Sequence, residues 1–368
     1  MLLGLTSSAC SRMMDFNRSS STATDTLQYA DFDADEVAGR QGKVHVLIPP
    51  AYELIQVAIA LTETSQQQPY RYIHPGTAYY QEVQDSFQPQ ADHPLIQDLD
   101  EKLHSPTSYR ALFGYQLTEE GLTLNAPYHL DHLSSSFRSL LDELGDFAQE
   151  SNFQDFYQSH ADFYQEQIDL YREFVPVHDI WKFMEANFPA EIDSYRIILS
   201  PLMVGTNNTI KFQTPAGDFT EILLFVPAYH VMDPHPSFAP AFAPLEMTRS
   251  VFTEIDHNYV NPVTDRYLES IDEAMPRLQD WHTGRGYPTA ALKFNEYYTW
   301  AVFFSWAREF YPEEDFQHIA RLTLERMDQR GFVRFEPFVE QLLALEREFP
   351  DKTLAELMPL MIEWMGEQ

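Results

Sequence analysis

The sequence predicts a helix-rich α+β protein. Three observations carry that expectation. The chain is 44% hydrophobic, with 27 Phe and 20 Tyr in 368 residues, enough apolar material for a sizeable core rather than a disordered chain. Long stretches on both sides of the middle repeat their apolar residues at three- and four-residue spacing, the signature of amphipathic helices. Between them, residues 195–226 switch to short β-type runs separated by turn sequences. Helices, a small sheet and then helices again make an α+β order.

Taken from the N-terminus, residues 1–40 read as a signal remnant followed by a polar, disordered tether. Lys43–Ile48 alternates and then turns apolar, which predicts a strand stopped by Pro49 and Pro50. Tyr52–Thr64 has helical spacing and opens after the prolines. Residues 65–90, rich in Gln, Pro and Tyr, read as an irregular loop. His93–His104 reads as a short helix, and Ser105–Leu124 as a helix with a loop. The serines 134–136 offer a cap for a helix reaching Gln149. Phe153–Phe174 carries an aromatic stripe suited to a core, and Val177–Phe188 reads as a further helix. Tyr195–Val204, Thr209–Gln213 and Phe219–Val226 predict a three-stranded antiparallel meander, with turns at Gly205–Asn208 and Pro215–Asp218. Helices resume over Leu245–Val260, where Asn261-Pro262 is expected to stop the first of them. Others follow near 263–281, 289–310, 312–329, 335–348 and 353–366. Residues 41–368 are expected to form a single domain, with the helices from about 311 as its extension.

Charge and cysteine usage narrow the function classes. With 56 acidic and 24 basic residues the net charge is −32, which argues against binding nucleic acid or anionic lipid through a basic face. The one cysteine, Cys10, excludes an intrachain disulfide, cysteine-ligated zinc and cysteine catalysis within the core. Its setting, Leu2-Leu3-Gly4-Leu5-Thr6-Ser7-Ser8-Ala9-Cys10, is an apolar run and small residues ahead of Cys. It resembles the end of a bacterial lipoprotein signal and makes Cys10 a candidate lipidation site. The expected location is the cell envelope, with membrane attachment only through that anchor.

The chemistry-bearing stretch is Thr253-Glu254-Ile255-Asp256-His257. In the zinc-peptidase pattern H-E-x-x-H, two His at i and i+4 share a helix face and hold the metal, and the Glu acts as general base. Here Glu254 and His257 stand in the base and second-ligand positions, and Thr253 leaves the first ligand position vacant. Glu296, 39 residues later on a strongly apolar segment, is the candidate third ligand. A carboxylate on so apolar a helix requires a partner in any case. Tyr229, His230, His282, Arg285 and Tyr287 are candidate oxyanion donors. Three readings of the motif stand side by side. One is a degenerate peptidase site that binds a peptide or partner. The second is an altered metal site in which Glu254 becomes a ligand, with His230 or His235 filling the vacancy. The third is a set of side chains that bond their neighbours and do no chemistry.

Tyr52-Glu53-Leu54, Asp92-His93-Pro94, Phe153–Tyr164, Ser200-Pro201-Leu202, the helix ending Val260-Asn261-Pro262, and Asn295-Glu296 together resemble a bacterial domain-of-unknown-function family predicted to be gluzincin-like metallopeptidases. The resemblance spans about residues 43–310. It implies a zincin-like domain with a small antiparallel sheet and an active-site helix. It further implies Zn2+ as cofactor, His257 and Glu296 as ligands, Glu254 as base, and a peptide or protein as substrate or ligand. By the same analogy, Thr209–Gln213 or Phe219–Val226 would receive the peptide by strand addition.

Overall fold

The computed structural model describes residues 28–69, 71–102, 106–118, 121–124, 127–129, 135–203, 207–228, 243–284 and 286–368. It is a helix-rich α+β structure whose elements form two compact units. One holds Asp25–His178 and Glu191–Glu254, the other Asp179–Ala190 and Ile255–Gln368. Cys10, Tyr229, His230, His235 and Arg285 lie outside the described residues.

The first unit opens inside the stretch assigned above to the tether. Gln28–Tyr29 (β1) is a strand, and Ala34–Arg40 (α1) is a helix closed by an Asp33/Glu36 capping box. Lys43–Leu47 (β2) is the expected strand. Helix α2, Pro50–Leu61, starts two residues earlier than predicted, because Pro50 fits the first helical turn, where no N–H bond is needed. The short helix Glu63–Gln67 (α3) follows. The loop expected over 65–90 is corrected by Ala78–Phe87 (α4), which Thr77 caps and which buries Tyr79, Val83 and Phe87 at i, i+4 and i+8. Pro94–Lys102 (α5) is helical as expected, and a 3-10 turn covers Pro106–Gly114. The hairpin Tyr115–Thr118 (β3) with Gly121–Leu124 (β4) replaces the helix-and-loop reading there. Ser135–Glu150 (α6) matches its prediction. The aromatic helix divides at His160 into Phe153–Ser159 (α7) and Ala161–Phe174 (α8), and Val177–Asn187 (α9), which follows, belongs from Asp179 onward to the second unit.

The sheet departs from the predicted meander. Ser194–Ser200 (β5), Asn208–Gln213 (β6) and Thr220–Pro227 (β7) join β1 and β2 in one sheet of order β1-β6-β7-β5-β2. Only β6 and β7 pair antiparallel; β5 pairs parallel with both β7 and β2. The cause is the unbroken apolar run of β7, buried from Thr220 to Val226. Such a strand stays dry on both faces in the middle of a sheet and has no place at an edge. With β5 and β6 on its two sides, β7 has no free edge for a peptide.

Glu221 enters the same sheet fully buried. It accepts from Tyr128 Oη at 2.6 Å, from Arg40 Nη1 at 3.2 Å and from Ser194 Oγ at 3.4 Å, and Arg196 Nε lies 3.6 Å away. Burial pushes the Glu221 carboxyl up, against the pull of Arg40 and Tyr128.

Helix α10, Ala243–Thr264, contains Pro262 rather than stopping before it. Proline there removes one N–H bond, and Asp265 N still donates to Asn261 O at 3.0 Å, so the last turn closes around it. The second unit continues with Leu268–Ala274 (α11), Ala290–Phe310 (α12), Glu313–Gln329 (α13), Phe335–Glu348 (α14) and Leu354–Gly366 (α15). Helix α12 is its core, buried almost throughout from Lys293 to Ala307 and packed by α11, α13 and α14. Tyr297 of α12 donates to Trp281 O at 2.6 Å and accepts from Arg334 N at 3.1 Å. Tyr297→Phe leaves both main-chain groups short of a partner. It is expected to cost about 1–2 kcal/mol in denaturant unfolding, whereas a merely space-filling ring would lose almost nothing. Among the described residues no helix is long and apolar enough to cross a membrane.

Candidate functional site

The boundary between the two units falls between Glu254 and Ile255, inside helix α10. The motif residues are therefore described on each side of it. In the first unit, Thr253 is buried and donates its hydroxyl to Ser250 O at 3.2 Å, a local bond back along its own helix. Glu254 is half-buried and its charge acts on Arg110, whose guanidinium donates to Asn208 Oδ1. Burial lowers the Arg110 pKa to about 10, while Tyr52 and then Glu254 favour its charged form. The expected base thus sits in the field of a cation.

In the second unit, the structure brings His257 and Glu296 together. His257 Nδ1 lies 3.3 Å from Asn261 Oδ1, one turn along α10. Its Nε2 is 3.7 Å from Glu296 Oε1, an ion pair only when the imidazole is protonated. The partner that Glu296 needs is Arg330. Arg330 Nη2 donates to Glu296 Oε2 at 2.5 Å and to the Tyr287 hydroxyl at 2.5 Å. The guanidinium also stacks against Trp300, one turn beyond Glu296 on α12, at 4.7 Å, and against Phe332 at 5.1 Å. Burial opposes its charge, but Glu296 and then Tyr287 more than offset that, and the Arg330 pKa stands above its ordinary value.

Local sequence explains why Arg330 is held there. Helix α13 ends with Gly331 in the left-handed region at φ 89°, Gly331 N bonding Asp328 O at 2.8 Å and Phe332 N bonding Met327 O at 3.0 Å. This is a Schellman cap, with Arg330 as the last residue of the turn, glycine after it and an apolar Phe332 next. The loop after Trp281 docks on the cap. His282 Nε2 meets Arg330 O at 3.0 Å, and Thr283 N donates to Gly331 O at 3.0 Å. A Cβ on Gly331 would come within 2.7 Å of Thr283 Oγ1. Tyr287, between Gly286 and Pro288, itself takes a left-handed backbone at φ 56°. Strain of that kind persists where surrounding contacts hold it. Here the contacts are the Arg330 bond to its hydroxyl and Lys293 Nζ donating to its carbonyl at 2.6 Å. Burial, and then Lys293, lower the His282 pKa, and burial lowers that of Lys293.

A zinc ion asks for three or four N, O or S ligands, and two ligands of one tetrahedral ion lie about 3.4 Å apart. The His257–Glu296 separation of 3.7 Å is close to that. The remaining described donors do not complete the set. The Thr253 hydroxyl is committed to Ser250 O, and Arg330 already places a positive charge on Glu296. Among the described residues no group of three His, Cys, Asp or Glu side chains gathers to hold a metal. Of the expected oxyanion donors, His282 and Tyr287 are placed beside Arg330, bonded to its main chain and side chain. Sequence reasoning missed Arg330 and Arg110. The signal for the first was present in outline, since a Glu on an apolar helix demands a cation and Arg330-Gly331-Phe332 reads as a helix cap.

Comparison with known proteins adds a family. No curated protein and no solved structure matches the chain. Residues 54–282 match the model of a domain of unknown function, DUF4932. The match takes in most of the sheet unit and all of α10, and it ends ahead of Glu296 and Arg330. It covers well over half of the 368 residues, so this chain belongs to the DUF4932 family.

Proposed function

We propose that the chain is a gluzincin-like relative of the metallopeptidases that has exchanged its metal for an arginine. In this reading it serves the cell envelope as a non-catalytic protein binding a peptide or a protein partner. The observation that carries the reading is the 2.5 Å contact of Arg330 Nη2 with Glu296 Oε2. A guanidinium in contact with the carboxylate supplies the positive charge that a metal would supply, and it repels a second cation from the same place. The vacant ligand position at Thr253 and the action of Arg110 on Glu254 agree with it, because base and ligand each face a fixed cation or lack a donor. The envelope location rests on the lipoprotein-like run before Cys10. A lipidated Cys10 in the mass spectrum of the mature protein supports it, and an unmodified Cys10 removes it.

Metal analysis tests the core of the proposal. Purified protein exposed to zinc and desalted is expected to retain no stoichiometric metal. Thr253→His combined with Arg330→Met restores an imidazole and removes the competing charge, and this double variant is expected to bind zinc more tightly than the parent. Stoichiometric zinc in the parent, lost on His257→Ala or Glu296→Ala, would overturn the non-catalytic reading in favour of a working metal site.

A further inference from the structure

Glu53 stands apart from the site above and is built into the first unit. It lies in the first turn of α2, directly after the carboxyl end of β2, and it is 0% exposed. Tyr79 of α4 donates its hydroxyl to Glu53 Oε1 at 2.9 Å, and the Tyr79 and Tyr164 hydroxyls are 2.7 Å apart. Ser200, the last residue of β5, also acts on the carboxyl, and Glu53 Oε2 has no hydrogen-bond partner among the described residues. Tyr157 of α7 closes the same region by donating to Ile48 O at 2.5 Å. One carboxyl thus begins a hydroxyl chain that joins α2, α4 and α8.

The elements packed around α2 give that carboxyl hydroxyls in place of a cation. From the 3-10 turn come Tyr109 and Arg110, and Arg110 is engaged with Asn208 and acts on Tyr52. Asp98 of α5 acts on Tyr109, and Asp100 accepts from Thr64 N at 2.7 Å. Glu63 of α3 is bonded to Gln67. Helix α6 carries Asp142, Asp146 and Glu150 on its exposed face, and β3 brings Tyr115. His160, before α8, lies 5.4 Å edge-on to the Tyr79 ring and pairs with Glu82 at 2.8 Å. The groups acting directly on Glu53 are Ser200 and Tyr79. A carboxylate so placed is buried without a counter-charge among the described residues, so the neutral acid is the form that fits.

We propose that Glu53, Tyr79 and Tyr164 form a proton-held latch, closed while Glu53 carries its proton and loosened when that proton leaves to solvent. Closed, the chain draws α2, α4 and α8 together without burying a charge. Opened, the carboxylate needs water, and α4 or α8 must yield to admit it.

Burial pushes the Glu53 carboxyl from 4.5 up to about 7, against the pull of Ser200 and Tyr79. Because the folded value is the raised one, the stabilisation is complete below pH 4.5 and is lost as pH climbs to about 7. Glu53→Gln keeps the acceptor for Tyr79 and cannot ionise. Relative to the parent, its folding equilibrium constant is expected to grow on the order of 100-fold from acid to mildly alkaline pH. Hydrogen exchange of Ala78–Phe87 and Ala161–Phe174, corrected for intrinsic rates, should accelerate over the same range in the parent and not in the variant. A parent-to-variant ratio that stays flat with pH overturns the proposal. If Glu53→Gln does not fold, Tyr79→Phe decides. Loss of that hydroxyl disfavours the carboxylate and should carry the pH at which exchange stops accelerating to a higher value, and an unmoved upper end overturns the latch.

Discussion

Arg330→Ala is expected to lower the stability of the helical unit by about 3–5 kcal/mol, the cost of stranding one member of a buried ion pair. The side chains of Arg330 and Glu296 are only 12% and 8% exposed, so water cannot readily replace the lost partner. The variant also leaves the strained Tyr287 without its hydroxyl donor and uncovers the face of Trp300. Arg330→Lys should fall between the two. It keeps the charge but loses the planar group that stacks on Trp300 while reaching both oxygens. The decisive measurement is a double-mutant cycle by denaturant unfolding. Arg330→Met together with Glu296→Leu removes both charges and is expected to cost less than Arg330→Ala alone. Losses that simply add would show that the two groups do not act as a pair.

The second large effect is expected at Glu221 in the sheet. Glu221→Ala takes away the acceptor shared by Tyr128, Arg40 and Ser194 and removes the carboxylate beside Arg40 and Arg196, whose side chains are only 13% and 17% exposed. A loss of about 3–5 kcal/mol is expected for breaking this group from its centre. Glu221→Gln retains an acceptor and the shape of the side chain, and should lose clearly less. Equal losses in the two variants, read from thermal unfolding of the whole chain, would mean that packing and not charge makes the residue necessary. The arginines then test the direction of the argument. Arg40 also stacks on Phe32 at 4.8 Å, so Arg40→Ala should remove packing as well as charge, whereas Arg196→Ala should be milder.

The elements most legible in the sequence were those with a single strong pattern. Helix α12, apolar all round, and β5, β6 and β7, bounded by turn sequences, form where their residues predict. Partner choice was not legible. The run Ile222–Val226 announces a strand buried on both sides, but it does not say that β5 will lie beside it in parallel while β6 turns back on the other edge. Helix α4 was hidden because Gln and Tyr dilute its stripe, leaving Tyr79, Val83 and Phe87 as the only buried positions. At the site, Thr253, Glu254 and His257 could be placed on one helix from spacing alone, and Glu296 was picked out by its apolar surroundings. Arg330 could not be assigned to Glu296, since 34 residues separate them and nothing in local spacing sets the contact. What the sequence supplied was the demand for a partner, and the fold supplied the arginine.

The Schellman turn that carries Arg330 has a consequence for how the protein comes to be ready for use. A counter-ion attached to the backbone is present at a fixed local concentration from the moment the helix cap closes. It needs no loading step, does not depart on dilution and is indifferent to chelators. The positive charge that Glu296 meets at this contact is inherited from translation.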